Sequence, residues 1–296
     1  MRGSARLSSP RRGGERVALS DRVRDLLAAG EPAILVTVAE AQGSAPRDAG
    51  TAMLVTFGGS WGTIGGGHLE YHAIDVARAM LARGEDARDL DMPLGPLLGQ
   101  CCGGRVRLAL RRAGPAELAR LARAEARARA AAPPVLIYGA GHTGRALAEA
   151  LALLPLRTTV VDDRLEPVAL PDGTALLRLD DPVAAVAEAP AGAAHVVLTH
   201  SHALDYRLAD AALRRRDAAY VGMIGSATKR ARFERAFLAG GGDPAALRAL
   251  RCPIGGGAVR DKRPEVIAAL VAAELLVTLG RYGSCNASDP ITERAC

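Results

Sequence analysis

The sequence predicts an α/β protein whose C-terminal half is a parallel sheet covered by helices, preceded by a separate N-terminal α/β domain. Three observations carry this. From Val135 onward, short apolar and β-branched runs alternate with helical patterns, as strands joined by helical crossovers do. The first run leads directly into Gly139-Ala140-Gly141-His142-Thr143-Gly144, a glycine loop set between a strand and a helix. An acid, Asp162, closes the next run 18 residues beyond Gly144.

Taken in order, residues 1–16 are rich in Ser, Gly, Pro and Arg and read as a disordered tail. A helix is expected over 18–29, with Gly30 as its C-terminal cap. Strands follow at 33–39 and 51–57; Gly58-Gly59 supplies a turn from which 60–64 can pair back. Three glycines then open a helix over 68–83. Residues 84–100 read mostly as loop, and 106–110 as a strand. The Ala- and Arg-rich stretch 116–132 is helical by propensity and stopped by Pro133-Pro134. With 116–134 as a linker helix, the N-terminal domain spans 17–115. The second half gives strands at 135–138, 158–161, 195–199 and 220–223, with helices at 143–152, 182–188, 203–216 and 226–239. A last helix, 264–279, begins on Pro264. The C-terminal domain is thus 135–280, with 281–296 as a tail.

Composition narrows the function classes. The chain has 296 residues, enough for two domains, and 49% are hydrophobic but only 3% aromatic. The net charge of +6 is almost all arginine, since Lys229 and Lys262 are the two lysines. These arginines are spread among acids in Ala-rich helices rather than gathered with aromatic platforms, which argues against nucleic acid. No apolar run reaches membrane-spanning length and the N-terminal arginines precede no signal-peptide core. Five irregularly spaced cysteines without a C-x-x-C pair fit a reducing cytoplasm better than a disulfide or zinc framework.

The loop at Gly139, Gly141 and Gly144 has the spacing of a Rossmann phosphate-binding turn. Its glycines allow a tight turn, close approach of a pyrophosphate, and helix packing on the sheet. Asp162 stands where an acid accepts ribose hydroxyls. His142 suits either a phosphate contact or a solvated loop position. Two further segments should face the same crevice. His200 and His202 with Asp205 are compatible with a metal, a ligand contact or a helix cap. Gly225, Ser226, Lys229 and Arg230 are placed as an anion site at a helix start.

Three loops of the N-terminal half carry other chemistry. They are Gly43-Ser44-Ala45-Pro46-Arg47, Gly65-Gly66-Gly67-His68-Leu69-Glu70 and Gln100-Cys101-Cys102-Gly103-Gly104-Arg105. Consecutive glycines let backbone amides converge on an anion. Arg47 and Arg105 offer forks that match phosphate oxygens. A thiol beside Gly-Gly and an arginine favours an accessible thiolate, a soft ligand; the bland alternative is a pair of small buried hydrophobes.

Ordered motifs from Ile34 to Leu276 make the resemblance specific. They are TVAEAQGSAPRDAGTAMLV (37–55), GTIGGGHLE (62–70), GQCCGGRV (99–106), VLIYGAGHTGRALA (135–148), VVDDR (160–164), THSHALD (199–205), YVGMIGSATKR (220–230) and CPIGGGAVRDKRPEVIAALVAAELL (252–276). The sequence resembles the XdhC/CoxI family of xanthine dehydrogenase accessory proteins. It departs from the family's usual pattern at Gly256 and Val266. The resemblance implies an N-terminal domain of the family's own type and a Rossmann domain. It further implies binding of the sulfurated molybdenum cofactor (molybdopterin-bound molybdenum), its protection, and its insertion into an apo molybdenum hydroxylase. Cys102, directly before Gly-Gly, is the implied molybdenum contact ahead of Cys101. Implied partners are apo xanthine dehydrogenase, a cysteine desulfurase, cofactor biosynthesis proteins and a second copy of the chain. The alternative is an NAD(P)-linked oxidoreductase using the Rossmann loop, with His200 or His202 as proton donor. A third reading is a thiol redox sensor built on Cys101 and Cys102.

Overall fold

The protein is described by a computed structural model over residues 18–94, 104–164, 166–256 and 259–287. The chain divides into two compact units, residues 1–128 and 129–296.

The first unit contains α1 (Leu19–Ala28), β1 (Ile34–Gln42), β2 (Ala52–Val55), β3 (Ser60–Gly62), α2 (Gly67–Arg83), β4 (Ala87–Pro93) and β5 (Arg105–Arg112). The strands form an antiparallel sheet in the order β3-β2-β1-β5-β4. β1 is central because its first residues are apolar on both faces. Ile34, Val36 and Val38 meet Leu69, Ala73, Ala77 and Met80 of α2, whose spacing puts them on one helical face. Leu35 and Leu54 point the other way, onto Val23 and Leu26 of α1. Leu121 of α3 (Pro115–Ala131) joins that second cluster. The helix expected as a linker therefore docks on the first unit through Leu121, and Glu125, one turn on, accepts from the Ser20 hydroxyl.

The second unit contains β6 (Pro134–Tyr138), α4 (His142–Ala152), β7 (Arg157–Asp162), β8 (Ala175–Arg178), α5 (Ala184–Ala187), β9 (Ala194–Val197), α6 (His202–Arg215), β10 (Tyr220–Met223), α7 (Ala227–Ala239), β11 (Leu250–Arg251) and α8 (Pro264–Ala287). All pairings are parallel, in the order β11-β10-β9-β6-β7-β8. Counting from β6, this is the doubly wound order, which reverses between β6 and β9 and opens a crevice there. Helices α4 and α8 cover Val135, Ile137, Val160 and Val196. The opposite face packs Leu136, Tyr138, Val161 and Val197 against Val186, Leu208 and Phe233 of α5, α6 and α7. Strands buried on both faces need apolar residues throughout, which is why they read as unbroken runs.

Three strands differ from expectation, and all three lie at sheet edges. β4 occupies the stretch 84–100 that reads as loop, and β8 and β11 close the two edges of the second sheet. Edge strands pair on one side only and tolerate charge. Along β4 only alternate residues are even partly covered. The last helix also runs beyond 279, to Ala287.

Candidate functional site

The three glycine loops of the first unit meet at one end of its sheet. β1 and β5 are neighbours, with Gln42 opposite Arg105, so the loop after β1 lies beside the start of β5. A Cβ on Gly104 would stand 2.5 Å from the Gln42 carbonyl oxygen and 2.7 Å from that of Ser44. Only glycine permits that approach. The second loop closes on the first in the same way: a Cβ on Gly65 would lie 2.7 Å from Pro46 Cγ. Gly65, Gly66 and Gly67 all have positive φ, as does Gly43, a conformation that side chains oppose.

Some of the anion-binding capacity expected of these loops is already in use. Glu70 turns back from α2, and its Oε2 accepts from the amides of Ile64 and Gly66, at 3.2 and 3.1 Å, and from the Thr63 hydroxyl. Arg105 forks onto Asp91 through Nε and Nη2, both at 2.6 Å. What remains is Arg47, exposed and without an ion pair among the described residues, and the first turn of α2, which has no side-chain cap. Gln100, Cys101, Cys102 and Gly103 lie outside the described residues. The described residues on either side of them are paired: the Leu94 amide donates to the Gly104 carbonyl at 2.7 Å.

In the second unit each Rossmann glycine has a distinct task. Gly139, at φ 108°, passes so close to β9 that a Cβ would lie 2.6 Å from the Leu198 carbonyl. A Cβ on Gly144 would collide with the Gly139 carbonyl at 1.9 Å. Gly141 faces open space, with nothing within 4 Å of its Cβ position. His142 is exposed at the start of α4.

Asp162 borders the crevice but is almost wholly buried. Its carboxylate accepts from the Ala140 amide, from the Arg164 amide at 2.8 Å, and from Arg164 Nε and Nη2 at 2.9 and 2.8 Å. Burial opposes ionisation, but the Arg164 guanidinium and the two amides outweigh it and hold the carboxyl at about 2. Arg164 escaped the sequence reading, although the run Asp162-Asp163-Arg164 was visible.

The other residues expected at the crevice separate. His200 lines a cavity of about 130 Å³ with Gly139, Asp162 and Thr199, whereas His202 is exposed on α6. Asp205 is fully buried and holds Thr199 by its amide and hydroxyl, at 3.0 and 2.7 Å. Its other oxygen accepts from Lys229 Nζ at 2.5 Å. Gly225 leaves room for the Lys229 chain to fold back. Arg230 binds Glu234 and the Leu250 carbonyl, and Ser226 caps α7. The cations expected to meet an anion here are thus engaged within the protein. Among the described residues no three His, Cys, Asp or Glu side chains converge as a metal site.

A buried pair was missed entirely. The Tyr138 hydroxyl lies 2.9 Å from His195 Nδ1, and the rings stack. His195 Nε2 is buried without a partner among the described residues. Burial, with Arg215 nearby, pushes the imidazole down to about 4; burial pushes the Tyr138 phenol up.

A doubly wound sheet with an intact glycine loop, following in sequence an antiparallel unit that gathers three glycine loops at one end, defines a two-unit Rossmann protein. Residues 135–275 match the XdhC Rossmann domain, and residues 26–90 match the XdhC and CoxI family. The chain belongs to the XdhC and CoxI family. It is similar to the uncharacterized protein YqeB of Escherichia coli K12, 26% identical over 255 residues, which are 83% of this chain and 43% of that one. The chain therefore matches less than half the length of that relative. A solved structure from Bacillus halodurans, described as a xanthine dehydrogenase, shares the fold. Its TM-score is 0.70 at 18% identity, covering 92% of this chain and 98% of that one. Among the described residues no helix is long and apolar enough to cross a membrane.

Proposed function

We propose that this protein serves the maturation of a xanthine dehydrogenase-type enzyme by carrying the molybdenum cofactor to its apo form. Family membership supports the maturation role. The observation that carries the binding site is the convergence of the three glycine loops around Ser44, Gly65 and Gly104. The cargo is a pterin with a terminal phosphate and a sulfur-bound metal, so it calls for an anion cradle beside a soft ligand. Arg47 and the first-turn amides of α2 are the groups left to take the phosphate. Cys102 precedes Gly104 by two residues in the sequence. Its thiolate shields the metal centre. The apo-hydroxylase and a cysteine desulfurase are the corresponding partners.

The test is anaerobic purification from a host that makes the cofactor, followed by molybdenum and pterin assays per chain. Wild type should carry near-stoichiometric pterin. Cys102→Ala should lose it while unfolding at the same temperature as wild type. Pterin retained in folded Cys102→Ala would remove the cysteine from the site, and pterin absent from wild type would end the carrier reading.

A further inference from the structure

A dinucleotide crevice that reads a free ribose diol needs an acid with open acceptor positions at the end of its second strand. Asp162 stands at that place and has none. A carboxylate offers about four lone-pair sites, and its four hydrogen bonds go to the Ala140 amide and to Arg164. Its side chain is 2% exposed, against 41% for Arg164. A guanidinium therefore stands at the rim where the carboxylate would be.

Arg164 also borders two cavities. The smaller, about 130 Å³, lies at the strand ends beside Gly139 and His200. The larger, about 380 Å³, lies toward α4 and is lined by Gly141, His142, Arg145, Arg164 and Glu166, among others. Arg164 Nη1 makes no hydrogen bond among the described residues, and neither does the Arg145 side chain. Two guanidinium groups with donors to spare thus face one acid, Glu166, next to a glycine loop with open space at Gly141. Such a wall suits an anion with several acceptor oxygens, as a phosphate has.

We propose that this crevice takes a dinucleotide whose ribose carries a 2′-phosphate, held in the larger cavity by Arg164 and Arg145, in preference to one with a free diol. This site belongs to the second unit and does not rest on the carrier reading. Its readout is nucleotide affinity, independent of pterin loading.

The experiment is calorimetric titration of the full chain, purified from a host lacking the molybdenum cofactor, with NADP⁺ and NAD⁺. NADP⁺ should bind roughly tenfold or more tightly than NAD⁺. Arg145→Ala should lose most of that preference by weakening NADP⁺ alone; Arg145 has no internal ion pair to lose, so this variant should keep the fold. Arg164→Ala should expose Asp162 to a diol and raise NAD⁺ affinity, reversing the order. Equal affinities, no binding of either nucleotide, or a preference unchanged in Arg145→Ala would overturn the proposal.

Discussion

Replacing Lys229 by Met tests whether the buried charges at the crevice floor are structural. In the wild type, Lys229 Nζ reaches Asp205 at 2.5 Å and the Ile224 carbonyl at 2.8 Å. Side-chain exposure is 10% for the lysine and 1% for the aspartate. Removing one member of a buried pair leaves the other uncompensated, which costs about 3–5 kcal/mol. Thr199 still donates twice to the second Asp205 oxygen, so the loss should fall at the lower end, about 3 kcal/mol. Asp205→Asn keeps the shape but removes the charge and should cost about 2 kcal/mol. The double variant should cost less than the sum by about 2 kcal/mol, because neither charge is then stranded. Urea unfolding of the four proteins, followed by circular dichroism, measures this cycle. A single-variant loss below about 1 kcal/mol, or additive losses, would refute the reasoning.

Two further outcomes follow from the geometry. Burial holds the His195 imidazole down at about 4, below the 6.5 of a free imidazole, so the unfolded chain binds the extra proton and stability falls as pH drops from about 6.5 to 4. The loss should be on the order of 3 kcal/mol, and comparing urea midpoints at pH 7.5 and 4.5 in wild type and His195→Leu should show it shrink in the variant. Gly104→Ala should part the first and third loops, since its Cβ would meet two carbonyl oxygens; about 1–3 kcal/mol of stability and most pterin retention should be lost, and a variant that keeps full pterin would separate the two loops functionally.

Much of this fold was legible because burial on both faces forces a plain signal. β6, β9 and β10 are apolar at nearly every position, β7 carries a buried Val160-Val161 pair, and the expected bounds of all four lie within a residue or two of those found. The edge strands β4, β8 and β11 carry no such constraint, and polar sequence there looks like loop. The tight turn at Gly139 and the helix packing at Gly144 were legible from the motif, whereas Gly65 and Gly104 read as anion-binding amides and only the structure shows their close approaches. Pairing was not legible. Sequence shows that Arg105, Lys229 and Arg230 are cations near glycine, but only the folded chain shows Asp91, Asp205 and Glu234 beside them. Asp162 failed for the same reason in reverse: its place in the motif is right, yet Arg164, two residues on, takes its acceptors. Tyr138 and His195 gave no signal, being polar residues inside apolar runs, 57 residues apart.

Whether an arginine can serve an anion depends on what already neutralises it, not on the net charge of +6. Across β4, β5 and β1 the outer face of the first sheet is a ladder of pairs: Asp91 with Arg105, Asp89 with Arg111, and Glu40 with Arg107. Exposed pairs of this kind contribute little to stability, so their main effect is to cancel charge. The arginines left unmatched among the described residues include one beside each glycine loop that opens a helix: Arg47 next to Gly65, and Arg145 next to Gly141. Pterin retention should therefore respond differently to two superficially equal changes. Arg47→Ala removes an uncommitted fork and should weaken retention roughly tenfold. Arg105→Gln removes one already held by Asp91 and should change it by less than about threefold. The comparison is made by dialysing loaded protein and measuring the pterin that remains. If Arg105→Gln releases the cofactor as fast as Arg47→Ala does, the ladder opens on binding and Arg105 leaves Asp91 for the phosphate.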